Sequence, residues 1–255
     1  MKELRGNLHV HSDRSDGTLP IPEIARVAAD CNLDFVGIND HHALCSDNYY
    51  CEGVLILMGT EYNSRHSHYL AYDTPASLAE KQVEGARVVA HVQSNQGLGI
   101  IAHPFEKGSP AVSQGRHYPW RDWNVVGYDG IELWNQCSQW REAAKSYGRG
   151  LGLWLFNRHL PFFQGACPQA LSKWDEVCQK RHITGLAGSD LHAPVFRVLG
   201  VKLRILDYPM LFSAVNNYVR VEEVTGNAKV DSANLIAALR RGNCWFAFDR
   251  LHLAY

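Results

Sequence analysis

Residues 7–20 read NLHVHSDRSDGTLP, and the fold follows from how this stretch is divided. Residues 8–11 form a short strand candidate in which apolar and imidazole side chains alternate. Asp16-Gly17 makes a polar turn. A helix is expected over 22–31: Pro22 suits the first turn, Glu23 suits its positive end, and Ile24, Val27, Ala28 and Cys31 share one face. The unit is therefore strand, polar turn, helix.

The same unit recurs outward from there. Apolar strand candidates lie at 35–38, 54–58, 68–72, 100–102, 130–133, 184–187 and 244–248. Helices are expected at 78–92 and at 232–241, the latter closed by Gly242. Strands alternating with helices predict an α/β fold built on parallel strands. No linker or repeat interrupts the chain, so residues 1–255 read as one domain. Residues 106–126 are irregular and read as a long loop beside the site, and 149–175 show no clear period.

Composition narrows the class. Hydrophobic residues make up 46% and charged residues 20%, which is globular rather than disordered. The net charge of -1 provides no global field towards nucleic acid or acidic lipid. Seven scattered cysteines form no CxxC pair, which excludes a zinc ribbon or thioredoxin-type motif. The N-terminal MKELRGNLHVHSD has no apolar signal region, and the apolar runs are too short to span a bilayer. The expectation is a reduced, cytoplasmic protein with no membrane or stable nucleic-acid partner and an open oligomeric state.

Histidine is in excess, with 13 residues and the pairs His9/His11, His41/His42 and His66/His68. Polar clusters follow nearly every strand candidate: His9/His11, Asp16, Asp40-His41, Glu61, His68, His103 and Asp190/His192. In α/β barrels active sites lie at the carboxyl ends of the strands. Strand residues i and i+2 share a face, so His9 and His11 are expected to project together, as are Asp190 and His192. Imidazole nitrogen with carboxylate oxygen suits Zn, Mn or Fe.

The stretches NLHVHSDRSDGTLP, FVGINDHH, GTEY, SHYLAY, IIAHPF and GSDLH together resemble the PHP (polymerase and histidinol phosphatase) family of metal-dependent phosphoesterases. They run from the N-terminus to His192. The resemblance implies a distorted seven-stranded (β/α) TIM-like barrel with up to three divalent metal ions at its mouth. It implies that His9, His11, Glu61 and Asp190 hold one metal. Glu61, His68 and His103 would hold a second, with Glu61 bridging, and Asp16, His41 and His192 a third. Nothing in the chain looks like a polymerase module.

Charge supports phosphate chemistry. Three divalent ions against Asp16, Glu61, Asp190 and a bridging hydroxide leave two positive charges, which match a phosphomonoester dianion. The expected reaction is attack on a small phosphomonoester, a nucleotide among the candidates, by the hydroxide shared between the first two metals. His192 and Asp40 are the candidate proton donors to the leaving group. Arg65, Lys107, Arg116 and Arg197 follow ligand strands on loops and are candidate phosphate contacts. Trp120, Trp123, Trp134 and Trp140 offer surfaces for stacking a base. Two rival readings are an amidohydrolase-type metal hydrolase, which also opens with HxH, and a non-catalytic metal-binding domain. The Asp40-His41 pair and the bridging candidate Glu61 fit the first poorly. A structural site needs only about four ligands, which weighs against the second.

Overall fold

The protein is described from a computed structural model covering residues 1–42, 47–64, 66–74, 78, 83–198, 201–250 and 253–254. Its strands are β1 (Lys2–Val10), β2 (Phe35–Ile38), β3 (Tyr49–Cys51), β4 (Val54–Asn63), β5 (His68–Tyr72), β6 (Leu98–Ile101), β7 (Gly130–Asn135), β8 (Thr184–Gly188), β9 (Val195–Val198), β10 (Val201–Arg204), β11 (Val215–Val221), β12 (Cys244–Phe248) and β13 (Leu253–Ala254). Its helices are α1 (Ile21–Asp30), α2 (Gly85–Ser94), α3 (Gln136–Ala143), α4 (Tyr147–Phe156), α5 (Pro168–Cys178), α6 (Tyr208–Phe212) and α7 (Ala228–Arg240).

Seven strands run β1-β2-β4-β5-β6-β7-β8 around a barrel. The ring is drawn together where β8 ends. Ser189 and Leu191 donate backbone hydrogen bonds to Leu8 and His9, and His11 donates back to Leu191. The expected TIM-like barrel is therefore what the chain forms. Its strands are not all parallel, however: β5 is antiparallel to both β4 and β6. The loop between β4 and β5 is far too short for a crossover, so a hairpin is the only connection available. Beyond the ring, β11, β12 and β13 extend the sheet from the first half of β1, and β3 pairs with β4.

Alternation along the strands divides the core in two. Leu8, Phe35, Leu57, Leu70, Tyr72, Ile100 and Leu186 pack together inside the ring, joined at its foot by Leu235 and Leu239 of α7. Val36, Ile38, Ile56, Ala71, Ile101 and Ile131 form the other layer, under the helices. A Cβ on Gly37 would stand 2.4 Å from Tyr72 Oη, two strands away, so the interior is filled and not a pore.

Boundaries differ from expectation in instructive places. β4 runs on to Asn63 because Thr60 to Tyr62 keep pairing with β5. Helix α2 begins at Gly85, and residues 79–82 of the expected helix lie outside the described residues. The segment 149–175 holds α4, a 3-10 turn at Leu160–Gln164 and α5. Residues 106–126 carry a 3-10 turn at Ser113–Gly115 and an isolated antiparallel bridge between Ser109 and Val112.

Candidate metal centre

The end of β1 is not a regular strand. Asn7 pairs with Val36 and Val10 with Ile38, so β1 holds one extra residue there. His9 takes up the bulge with φ 64°, in the left-handed region. Strict alternation, the expected reason for the His9/His11 pair, is thus broken between them. The bulge sets the two rings 5.3 Å apart, both fully buried. His103 (φ 27°) and Asp190 (φ 54°) are left-handed as well. Such residues cost about 1–3 kcal/mol each and cluster at functional sites.

Asp16 is brought in by a tight loop. Gly17 donates its N–H to the Ser12 carbonyl, and a Cβ at Gly17 would lie 2.2 Å from His11 O. Buried Asp40 fixes this loop, accepting from Ser12 N (2.7 Å), Ser12 Oγ (2.5 Å) and Ser15 Oγ (2.7 Å). The Asp40 carboxylate is engaged by the loop and does not line the cavity.

Glu61 is the centre of the cluster. Asn63 is paired with His68 across the hairpin, which puts Glu61 and His68 on one face. Glu61 Oε1 lies 2.8 Å from His68 Nδ1 and 3.3 Å from both His9 Nε2 and His103 Nε2. Its Oε2 lies 3.1 Å from His41 Nδ1 and 3.3 Å from His11 Nε2. Asp190 Oδ1 is 3.4 Å from His9 Nε2 and 3.7 Å from His11 Nε2. Asp16 reaches His41 Nε2 at 3.4 Å and His192 Nε2 at 3.2 Å.

Donor atoms thus gather in three overlapping groups: His9, His11, Glu61 and Asp190; Glu61, His68 and His103; His11, Asp16, His41 and His192. All nine residues expected as ligands are brought together, with His11 reaching towards two groups. Six of the buried atoms make no hydrogen bond: His9 Nε2, both ring nitrogens of His11, His41 Nδ1, His103 Nδ1 and Glu61 Oε2. Buried polar atoms are rarely left this way, and cations in these groups would satisfy those that face them, whereas His103 Nδ1 faces Glu106 at 3.7 Å. Three carboxylates with six imidazoles suit a borderline divalent ion.

The electrostatics match. Burial disfavours the charged form of Glu61, yet His68, His9, His103 and His11 hold its carboxyl well below the usual range. Burial likewise opposes the charge on Asp190, and His9, His192 and His103 outweigh it and lower its pKa. Burial alone would lower His41 and His103, but their carboxylate neighbours raise both to about 9. His11 goes the other way, to about 4, because of burial and the charge on His192.

A cavity of about 480 Å³ opens onto the cluster. Val112, Arg116, Tyr118, Trp140, Arg141 and Leu206 form part of its opposite wall. Of the four candidate phosphate contacts, Arg116 lines it. Lys107 lines a neighbouring cleft instead, and its backbone N–H donates to Glu142. Arg65 and the side chain of Arg197 lie outside the described residues. Of the four tryptophans only Trp140 faces the cavity. Trp120 and Trp134 are buried in the core, and Trp123 stacks on Phe105 with ring centroids 5.4 Å apart.

Sequence reasoning missed four residues. Glu132 accepts from His9 Nδ1 (3.0 Å), His103 N (2.6 Å) and Asn135 Nδ2 (2.9 Å). A carboxylate within a buried strand run was the available signal. Buried Glu106 accepts from Arg141 (2.6 Å) and from Tyr118 N (2.9 Å). The Tyr118 ring stacks on His68 at 4.4 Å. Arg141 sits on α3, where nothing in the sequence separates it from a solvated charge.

The chain thus forms a seven-stranded barrel with a buried histidine–carboxylate cluster at its mouth. No family model and no curated protein matches the chain. Among solved structures it is similar to a two-domain protein from Bacteroides vulgatus, described as containing a predicted PHP-like metal-dependent phosphoesterase. The TM-score is 0.56 at 16% identity, over 97% of this chain and 65% of that one. The chain therefore spans less than two thirds of that protein, and what they share is the fold. Matches with lower TM-scores are a candidate metal-dependent phosphoesterase from Bifidobacterium adolescentis and an amidohydrolase from Chromobacterium violaceum with bound sulfate. The first has 0.46 at 15% identity over 73% of this chain and 87% of that one. The second has 0.43 at 15% identity over 74% and 88%.

Proposed function

We propose that the chain is a metal-dependent phosphoesterase that hydrolyses a small phosphomonoester using up to three divalent ions. The observation that carries this reading is the division of Glu61. One oxygen faces His9, His68 and His103, and the other faces His11 and His41. A carboxylate so placed would bridge two ions, and among the described residues no lysine lines the cavity, whereas an amidohydrolase-type site commonly uses a bridging lysine. His9, His11, Glu61 and Asp190 would hold one ion, Glu61, His68 and His103 a second, and Asp16, His41 and His192 a third. Bound there, divalent ions supply Lewis acidity to phosphoryl oxygens and make water a nucleophile near neutral pH.

The chain's own groups do the rest. Glu132 holds His9 with Nε2 turned inward. His192 donates Nδ1–H to the Asp190 carbonyl (2.8 Å), which leaves Nε2 for ligation beside Asp16. Ligation and proton donation exclude each other at Nε2, so we assign His192 as a ligand. Asp40 holds the Asp16 loop. Arg116 gives the cavity wall a positive charge suited to a phosphoryl group or an acidic substituent, while the charge of Arg141 is paired with Glu106. With three of the four tryptophans away from the cavity, its wall does not single out a nucleotide base.

The test is elemental analysis of protein purified without chelator, followed by phosphate release from a panel of phosphomonoesters. The reading expects more than one ion per chain and turnover that Glu61→Gln abolishes. Metal-loaded protein that releases no phosphate but opens an amide or lactone would overturn it in favour of the amidohydrolase reading.

A further inference from the structure

Away from the cluster, α4 and the 3-10 turn after it present an apolar face to solvent. Tyr147, Leu151 and Leu155 recur every four residues and are 81%, 41% and 57% exposed. Phe156, Leu160 and Phe163 follow, each at least half exposed. Only Gly150 and Leu153 of α4 are buried. Apolar helices of this kind are normally covered. Together these six residues expose several hundred Å² of mainly apolar surface, roughly 700 Å² from their exposed fractions.

The charge around the face says what covers it. Residues 143–174 contain Lys145, Arg149, Arg158 and Lys173 and no Asp or Glu. With -1 overall and +4 here, the rest of the chain carries -5. Lys173 is occupied by Glu176, and Arg158 is shared with Asp207. Lys145 and Arg149 are exposed on the segment itself. Two further exposed arginines adjoin it: Trp154 Nε1 donates to the Arg204 carbonyl, and Arg250 bonds His159. The net charge of -1 hides this segregation, and no membrane attraction is expected from it alone.

We propose that this face docks on an anionic lipid bilayer. Tyr, Leu and Phe side chains would enter the headgroup boundary while Lys145, Arg149, Arg204 and Arg250 meet acidic headgroups. Among the described residues no helix is long and apolar enough to cross a membrane. The contact is therefore with one leaflet. A second copy of the chain is a poorer occupant, because a two-fold contact would set one basic rim against another. The face also adjoins the cavity: Trp140 of its wall donates Nε1–H to the Arg158 carbonyl, and Arg204 precedes the wall residues Ile205 and Leu206.

Co-sedimentation tests the proposal, with vesicles of phosphatidylcholine alone and of phosphatidylcholine mixed with phosphatidylglycerol. The metal-loaded protein is expected to partition at least about tenfold more strongly to the anionic vesicles, and high salt should release it. The double variant Leu155→Asp/Phe156→Asp should lose binding with its metal content unchanged, and Arg149→Glu should weaken binding by more than about tenfold. Equal partitioning to both vesicles, or none, overturns the proposal. So does a wild-type dimer in analytical ultracentrifugation that the double variant turns into monomer, because the face is then a self-association surface.

Discussion

Glu132 Oε1 lies 3.0 Å from His9 Nδ1, and both groups are buried. The carboxylate can only accept, so the proton sits on Nδ1 and Nε2 is left as a ligand atom. The other Glu132 oxygen takes the backbone N–H of His103. One side chain on β7 thus orients candidate ligands on β1 and just after β6. Glu132→Gln should lower metal affinity roughly 10–100-fold while the fold persists. Competition with a chromophoric chelator measures this, and unchanged affinity would remove Glu132 from the centre.

Gly188 makes room for that carboxylate. A Cβ there would lie 1.7 Å from Glu132 Oε1 and 3.0 Å from His9 Cβ. Gly188→Ala should therefore displace Glu132 and lose metal affinity as Glu132→Gln does, at about 1–3 kcal/mol of stability. Combining it with Glu132→Ala removes the clash, so the stability losses should be sub-additive. Fully additive losses in chemical denaturation would mean the two positions do not meet.

The candidate ligands stood out in the sequence as polar residues beside apolar runs, and the structure gathers them although His9 and Glu61 lie within β1 and β4 and His68 opens β5. What was not legible is how they converge. His9 and His11 meet through a bulge, and a bulge leaves no mark in a run such as Leu8-His9-Val10-His11. The β4–β5 hairpin was concealed by expecting every strand to be parallel, although the short spacing between Glu61 and His68 carried the information. Glu132 and Arg141 became visible only once β7 and α3 were placed beside β1 and β6, because their roles depend on contacts distant in sequence.

Asp40 was a candidate proton donor, and its contacts give it a different task. It accepts from Ser12 N, Ser12 Oγ and Ser15 Oγ, and those residues carry the turn to Asp16. Asp40→Ala leaves these donors unpaired and should cost about 1–3 kcal/mol per donor left buried. It should also loosen the group made by Asp16, His41 and His192. Metal content is expected to fall by about one ion while the other two groups stay filled. Loss of one limb of the pH–rate profile with full metal content would instead restore the proton-donor role.

Protons and metal ions compete for this cluster, and the direction follows from the carboxylates. Burial alone would lower His41 and His103; Asp16 and Glu61 for the first, and Glu106 and Glu61 for the second, raise both from 6.5 to about 9. In the metal-free chain these raised values add stability that is complete below pH 6.5 and is lost as the pH climbs through about 9. An ion must displace those protons, so metal uptake at neutral pH should release protons from His41 and His103, and from His9 and His192, which their carboxylate neighbours raise against burial as well. His11, lowered to about 4, gives up none. Calorimetric titration with Zn or Mn in two buffers of different ionisation enthalpy counts the release, which should fade above about pH 9. The fall in Tm on chelation should then be larger at pH 9 than at pH 6.5, since protons no longer substitute for the ions. Proton release near zero at neutral pH, with metal bound, would show that these histidines are neutral before the ions arrive.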